Sequence, residues 1–282
     1  MSDINAHIAD VPAAAEGGQG SVGDYFALLK PTAEFQGEYQ TTYFVRSDIG
    51  LHARVHRDRL WVVNQDNDSV SVFDAVSNAK LAEITVGSAP RTLAVAPNGE
   101  VWVTNKQSAT ISVINPTTLA VARTLSLPFA SQPFGIAMAP TGGFAYVALE
   151  AAGKLLKMDV AGYTVAGSVD VGANPRHVSV NGNGSLVYVS RFITPFQPGE
   201  STAVVQTASG GTPTGGQVVV VNAAAMALQQ TIVLRHSDKP DAENQGRGVP
   251  NYLGAATLSP DGQSAWVPSK QDNVQRGMLR DG

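Results

Sequence analysis

The side chains best suited to binding a ligand recur at one place in a repeated pattern. Two arginines, two histidines and a tyrosine lie near the start of equivalent strand-like segments, namely Arg91, Arg176, His52, His177 and Tyr252. Converging guanidinium and imidazole groups can hold a carboxylate or a phosphate through charge-assisted hydrogen bonds. We therefore expect these residues to form a polar rim for an anionic group. The alternative is that each arginine caps carbonyl groups of its own loop.

Acidic residues form a second set of candidates. Asp66 and Asp68 lie two residues apart in one loop, and residues 235–249 carry Asp238, Asp241, Glu243 and Arg247. Oxygen-rich loops suit hard cations such as calcium, although neither segment has the full spacing of an EF-hand loop. The alternative is that these side chains satisfy backbone amides in tight turns. We expect Arg247 to join the polar rim. The repeats offer no clear carboxylate partner for the rim, and this same loop could supply one, which would favour an enzyme.

Composition excludes several classes of function. The chain of 282 residues has no cysteine, which rules out a disulfide, a thiolate metal site and a C-x-x-C-H haem attachment in this segment. Only 15% of residues are charged and the net charge is −4, which argues against a nucleic-acid surface. No apolar run is long enough to span a membrane. No nucleophile elbow, P-loop or dinucleotide fingerprint is present.

The elements that must position these candidates are short repeated strands. An aromatic residue marks the second strand of each unit, at Trp61, Trp102, Tyr146, Tyr188 and Trp266, and the first three intervals are 41, 44 and 42 residues. Proline precedes the first strand at Pro90, Pro133, Pro175 and Pro250. A turn such as Pro97-Asn98-Gly99 joins the two strands, and Asn-Gly turns favour hairpins because they tolerate positive φ.

Each unit also carries a third and a fourth strand-like segment, so that four strands occupy just over 40 residues. That is the size of one propeller blade. At Val101-Trp102-Val103-Thr104-Asn105 the chain resembles the YVTN-repeat β-propeller family. The resemblance extends from about Thr41 onward and implies an all-β fold of four-stranded antiparallel blades. It implies little about function, because propellers carry many activities.

The repeat predicts two regions, a linker or disordered arm over residues 1–38 and propeller repeats over residues 39–282. We count about four and a half blades and expect a truncated seven-bladed ring. A compact ring of fewer blades, or closure by oligomerisation, is the alternative. Residues 41–45 are predicted to be an outer strand without a blade of its own, available to close the ring. Two insertions, residues 192–216 and 235–249, are expected to cover one face, where loops vary freely.

Residues 243–273 carry a second, more specific resemblance, to bacterial secreted propeller proteins. The matching segments include Gly246-Arg247-Gly248-Val249-Pro250 and Trp266-Val267-Pro268-Ser269-Lys270. In that group the propeller is often followed by a cytochrome-c-like or di-haem peroxidase-like region. The resemblance implies a periplasmic or extracellular protein, with haem only in a further C-terminal region. The N-terminus shows no signal peptide, so the protein is expected to be cytoplasmic if Met1 is its natural start.

These observations favour a non-catalytic binding or scaffold segment. Its insertion-rich face would be presented to a partner domain, a protein or a small ligand. The alternative is an enzyme, because some similar propellers hydrolyse lactones and others belong to haem or quinoprotein oxidoreductases. Such an enzyme needs convergent acid, base or metal groups at the mouth of the channel.

Overall fold

Four-stranded antiparallel sheets, each formed by strands consecutive in sequence, make up most of the chain. The computed structural model describes residues 42–44, 52–56, 58–194, 216–234, 249–259 and 261–272. The first sheet contains β1 (Thr42–Phe44), β2 (His52–His56), β3 (Arg59–Asn64), β4 (Ser69–Asp74) and β5 (Lys80–Thr85). The second contains β6 (Pro90–Val95), β7 (Val101–Asn105), β8 (Thr110–Asn115) and β9 (Ala120–Ser126).

The remaining sheets follow the same up-and-down order. The third contains β10 (Pro133–Met138), β11 (Phe144–Leu149), β12 (Lys154–Asp159) and β13 (Thr164–Asp170). The fourth contains β14 (Pro175–Val180), β15 (Leu186–Arg191), β16 (Gly216–Asn222) and β17 (Ala227–Leu234). In a fifth unit, β18 (Val249–Asn251) pairs with β21 (Lys270–Asp272), and β19 (Thr257–Leu258) pairs with β20 (Ala265–Trp266). Each of these four sheets contains one four-stranded blade, to which the first sheet adds β1 as a fifth strand, and the fifth unit supplies the first two strands of another blade.

The strand register confirms the repeat that the aromatic residues predict. The aromatic residue of each second strand lies opposite an inner-strand residue in all five units, as Arg54–Trp61, Ala94–Trp102, Ala137–Tyr146, Ser179–Tyr188 and Thr257–Trp266. The turns between these strands also behave as expected, since Gly99 and Gly142 have φ of 88° and 73°.

The hydrophobic cores lie between blades rather than within them. Trp61 packs with Val95 and Val103 of the second blade, and Trp102 packs with Ile136 and Val147 of the third. Trp61 and Trp102 are at most 1% exposed. Burying a large aromatic side chain is worth several kcal/mol. In blades one to three the recurring aromatic residue therefore packs against the next blade, whereas Trp266 of the fifth unit is 62% exposed.

One end of the blades, here called the loop face, carries two kinds of connection. These are the loops after each second strand and the loops that lead into the next inner strand. Backbone hydrogen bonds join the two kinds at equivalent positions: Lys106 N to Ala89 O at 2.9 Å, Glu150 N to Gln132 O at 2.9 Å and Phe192 N to Asn174 O at 2.8 Å. The loop face is therefore a regular framework on which side chains can be placed.

The structure corrects the sequence prediction for residues 41–45. A strand is present at Thr42–Phe44, but it pairs antiparallel with β2, in the register Thr42–Arg54, rather than acting as the outer strand of another blade. The reason is chain connectivity, because a short connection returns the strand to the nearest edge, which is that of β2. The prediction that this segment closes the ring is therefore wrong. A ring of seven blades stays a prediction.

Several other predictions lie outside the described residues. They concern the arm over residues 1–38, nearly all of the insertion 192–216, and residues 235–248 of the second insertion. Within the part of the chain that the structure describes, no helix has the length and apolar character needed to cross a membrane.

Candidate functional site

Two positions of the repeat meet on the loop face. One is the residue after each inner-strand proline, which is Arg91, Phe134 and Arg176 in blades two to four; the other is the first residue after each second strand, which is Gln65, Lys106 and Glu150 in blades one to three. Arg91 Nη1 donates to Gln65 Oε1, Lys106 Nζ lies 5.7 Å from the Phe134 ring centroid, and Arg176 Nε donates to Glu150 Oε1 at 2.7 Å. Each contact joins neighbouring blades.

Phe134 is the centre of this arrangement. Its ring has the Arg91 guanidinium carbon at 5.9 Å, the Lys106 ammonium at 5.7 Å and the Arg176 guanidinium carbon at 4.9 Å from its centroid. A cation near an aromatic face is attracted by about 0.5–2 kcal/mol, depending on its solvation. Phe134 itself is only 8% exposed. Together with Glu150, these residues are here called the Phe134 cluster.

Glu150 is the carboxylate of the cluster. Its Oε1 lies 2.7 Å from Arg176 Nε and its Oε2 lies 2.6 Å from Lys106 Nζ. The Glu150 side chain is 8% exposed, against 17% for Lys106 and 22% for Arg176. The expectation that the repeats offer no clear carboxylate is therefore wrong. The available signal was positional, because Glu150 follows Leu149 just as Lys106 follows Asn105.

The cluster carries an excess of positive charge. It contains three cations, Arg91, Lys106 and Arg176, and a single carboxylate, Glu150. Two of the cations are paired with that carboxylate, whereas the hydrogen bond from Arg91 goes to the neutral amide of Gln65. A partly buried positive surface of this kind favours anionic ligands.

An aromatic series extends the cluster toward the fifth unit. The Arg176 guanidinium also lies 3.4 Å from the Phe192 ring centroid, and Phe192 meets Tyr252 edge to face at 5.2 Å. Lys270 Nζ lies 5.3 Å from the Tyr252 ring, which belongs to a residue that is 37% exposed. The predicted rim residue Tyr252 is therefore linked to Arg176 through Phe192.

His177 joins the cluster directly. Its imidazole meets the Phe134 ring edge to face, with centroids 5.6 Å apart. The structure thus brings together Arg91, Arg176 and His177 of the predicted rim. His52 lies in β2, where its side chain is not described, and Arg247 lies outside the described residues.

Gly135 allows the inner strands of blades three and four to approach closely. A Cβ atom at this position would lie 2.1 Å from the backbone oxygen of Arg176. Thr104 Oγ1 donates to the Phe134 carbonyl at 2.5 Å, which fixes the same segment from the side of blade two. Close strand approach and this hydrogen bond place the Phe134 ring between cations from different blades.

An arginine that caps a backbone carbonyl is present, but it is neither of the two rim arginines. Arg191 Nε donates to the Ala173 carbonyl at 2.7 Å, and burial lowers the pKa of this guanidinium. Arg91 and Arg176 instead donate to the side chains of Gln65 and Glu150. Carbonyl capping therefore describes Arg191, which ends the second strand of blade four, rather than the arginines of the rim.

The calcium candidates have different surroundings. Asp68 accepts hydrogen bonds from Ala89 N at 2.7 Å and from Ser88 Oγ at 3.1 Å, so its carboxylate caps the loop that leads into β6. Asp66 is exposed. Asp238, Asp241 and Glu243 lie outside the described residues. Within the described ranges, no three His, Asp or Glu side chains are grouped closely enough to hold a metal ion.

An open cleft of mixed polar and apolar lining lies beside the Phe134 cluster. Its volume is about 380 Å³, and its lining includes Glu150, Gly153, Asp170 and Asn174. Asn174 Nδ2 donates to the Ile193 carbonyl at 3.0 Å, and Lys154 Nζ lies 2.7 Å from Asp170 Oδ1. Because Glu150 lines this cleft, ligand groups bound there would lie next to the cluster.

Comparison with known proteins gives a fold and short local matches. No protein-family model matches the chain. Two curated relatives, each described as an alpha-2-macroglobulin of Xylella fastidiosa, from strains Temecula1 and 9a5c, are 50% and 48% identical over 40 residues. These matches cover 14% of this chain and 2% of each relative, so the chain spans very little of the curated relatives it matches.

Among solved structures, the chain is similar to Kuenenia stuttgartiensis hydrazine synthase. The TM-score is 0.62 at 19% sequence identity, and the match covers 77% of this chain and 54% of that one. The chain therefore spans about half of the length of that structure, and at this identity the likeness concerns the fold alone. Taken with the four-stranded sheets and their register, it shows that this chain is an all-β protein built of β-propeller blades.

Proposed function

We propose that the chain is a non-catalytic binding module that uses its loop face to hold an acidic group of a partner. The observation that carries the proposal is the composition of the Phe134 cluster, where three cations meet one carboxylate beside a single aromatic ring. The partner can be an adjacent domain, another protein or a small ligand. In each case the recognised chemistry is negative charge, through charge-assisted hydrogen bonds.

Binding is favoured over catalysis because of the state of Glu150. A general base needs a carboxylate free to accept a proton from a substrate. Glu150 is instead held by Lys106 at 2.6 Å and by Arg176 at 2.7 Å. These contacts suit a residue that orders the cluster, and they do not favour the lactone hydrolase or oxidoreductase alternatives.

The loop face also offers an apolar contact point. Phe129 lies in the loop between β9 and β10 and is 99% exposed. The ends of this loop are held by hydrogen bonds from Leu127 N to Ala109 O at 2.9 Å and from Ala151 N to Ser131 O at 3.2 Å. An exposed aromatic side chain in a loop of the same face as the cationic cluster favours a protein partner over a small ligand.

We further propose that the chain is a YVTN-repeat propeller of an exported bacterial protein. Support comes from the Val-Trp-Val-Thr-Asn segment, which forms β7, and from the resemblance of residues 243–273 to secreted propellers. Haem would belong to a partner region and not to these blades. The encoding DNA tests this, because a signal peptide upstream and a C-x-x-C-H motif downstream are expected. A cytoplasmic reading frame without either feature would overturn it.

An acidic peptide tests the binding function directly. Calorimetric titration of hexaglutamate into the full chain should show binding that weakens as salt is added, whereas hexalysine should not bind. Lys106→Gln should weaken hexaglutamate binding several-fold, because it lowers the net positive charge of the Phe134 cluster. Arg123→Gln is the matched control, because it removes an exposed cation from the outer strand β9. Absence of hexaglutamate binding, or equal affinity of the Lys106→Gln protein and the unaltered chain, would overturn the proposal.

A further inference from the structure

The two rim arginines occupy equivalent positions but have different partners. Arg91 and Arg176 each follow an inner-strand proline, and each reaches the first residue after the second strand of the preceding blade. For Arg176 that residue is Glu150, a carboxylate. For Arg91 it is Gln65, a neutral amide. The repeat therefore contains the same arrangement twice. It is filled where the arginine faces an internal carboxylate, as at Arg176, and unfilled where it faces a neutral amide, as at Arg91.

The charge of Arg91 lacks a counter-ion among the described residues. Both oxygens of Glu150 are engaged by other cations, Lys106 and Arg176. The Nε atom of Arg91 is also buried and has no hydrogen-bond partner in the described part of the chain. An unpaired N–H of a charged group is costly when it is removed from water, and such a group calls for an acceptor.

The surroundings of Arg91 are those of a prepared binding group. Its guanidinium lies 5.9 Å from the Phe134 ring centroid, and Nη1 is held by Gln65, so two contacts limit its motion. The Arg91 residue as a whole remains partly exposed, although its Nε atom is buried. A guanidinium with free N–H groups can bind a carboxylate or a phosphate through two parallel hydrogen bonds.

We propose that Arg91 binds one carboxylate or phosphate group of the ligand, in the manner in which Arg176 holds Glu150. This inference rests on the proposed binding function and names the residue and the ligand group within it. Lys106, Arg176 and Glu150 then act as the internal ion-pair network that positions the Phe134 ring. The ligand contact belongs to Arg91.

The test converts the unfilled arrangement into the filled one. Gln65→Glu places an internal carboxylate opposite Arg91, and Gln230→Glu makes the same chemical change on the exposed outer strand β17. Inorganic phosphate and acetate serve as separate probes, so that the preferred one identifies the ligand group. We expect Gln65→Glu to weaken binding of that probe by about tenfold or more, without loss of thermal stability. Gln230→Glu should bind as the unaltered chain does.

Nuclear magnetic resonance of the arginine Nε–H groups provides a second readout on the unaltered chain. The Arg91 signal should shift on addition of the probe, because an anion bound at the guanidinium changes the electrostatic surroundings of its Nε–H, while the Arg176 signal should stay in place. If neither phosphate nor acetate binds, the proposed binding function itself is overturned. If a probe binds, but the Arg91 signal is unchanged and Gln65→Glu binds normally, the assignment to Arg91 alone is overturned.

Discussion

Removal of the Glu150 charge is the most informative perturbation of the cluster. Glu150→Gln keeps the size of the side chain but removes the carboxylate that lies 2.6 Å from Lys106 Nζ and 2.7 Å from Arg176 Nε. Loss of one partner from a buried ion pair costs about 3–5 kcal/mol, because the remaining charge is left without compensation. Since both cations keep some exposure, at 17% and 22%, we expect the lower value, about 3 kcal/mol.

A second ion pair in the same blade is the matched control. Lys154 Nζ and Asp170 Oδ1 are also 2.7 Å apart, but their side chains are 42% and 80% exposed. Exposed ion pairs contribute at most about 1 kcal/mol. Asp170→Asn should therefore lower the free energy of unfolding by less than about 1 kcal/mol, although the distance and the chemical change match those of Glu150→Gln.

Urea unfolding of the full chain is the assay, with the midpoint compared at constant slope. Phosphate should restore part of the stability lost in Glu150→Gln, because an anion can replace the missing carboxylate beside the cations. Saturation at a hundredfold excess over the dissociation constant is worth about 2.7 kcal/mol. Equal destabilisation by Glu150→Gln and Asp170→Asn would refute the view that Glu150 is the buried counter-ion of the cluster.

Three further predictions concern packing, titration and exposure. Gly135→Ala should destabilise by at least about 2 kcal/mol, because its Cβ would lie 2.1 Å from a backbone oxygen, while Gly143→Ala, with no atom within 4 Å of its Cβ, should cost much less by urea unfolding. The hydrogen bond from Tyr163 to Glu100, together with burial, raises the pKa of this phenol above 10.0. Its stabilising effect should be complete below pH 10 and fade as the pH rises further, and tyrosinate absorbance should show the late ionisation, which Tyr163→Phe should remove. Phe129→Ser should change the free energy of unfolding by less than about 0.5 kcal/mol, since the side chain is 99% exposed, and a larger loss would contradict its position.

The blades could be predicted from sequence because their signals are local and periodic. In blades one to three the recurring aromatic residue lies in the core between neighbouring blades, and Trp102 is fully buried there. Proline at Pro90 and Pro133 marks the start of inner strands, and both strands begin at those residues. Repetition converts weak individual signals into a register, which the strand pairs confirm.

The sequence predicted which arginines belong to the rim but not which side chains they contact. Arg91 and Arg176 were expected together because they occupy the same position of the repeat. Glu150 was missed because a single glutamate after a strand resembles an ordinary surface residue. Its burial depends on Lys106 and Arg176, which come from the blades on either side. Contacts of this kind are set by how blades pack, which no local pattern encodes.

The central position of Phe134 in the cluster could not be predicted from the sequence either. In sequence it interrupts a series of polar rim residues, and nothing local indicates that cations gather around it. The structure gives it that role because Gly135 lets two inner strands approach closely. The partner of β1 was predicted wrongly for a different reason. Comparison with the repeat assigned β1 to a distant blade, whereas β1 pairs with the adjacent edge of β2.

Anomalous diffraction from crystals soaked in selenate shows directly whether Arg91 binds an anion. Selenate has the tetrahedral shape and the charge of a phosphate-like anion, and its selenium atom can be located without bias. We expect a selenium peak within hydrogen-bonding reach of Arg91 that disappears in Gln65→Glu crystals treated in the same way. A peak that persists beside Arg91 in Gln65→Glu, or a loop face without any peak while selenate binds elsewhere on the chain, would contradict it.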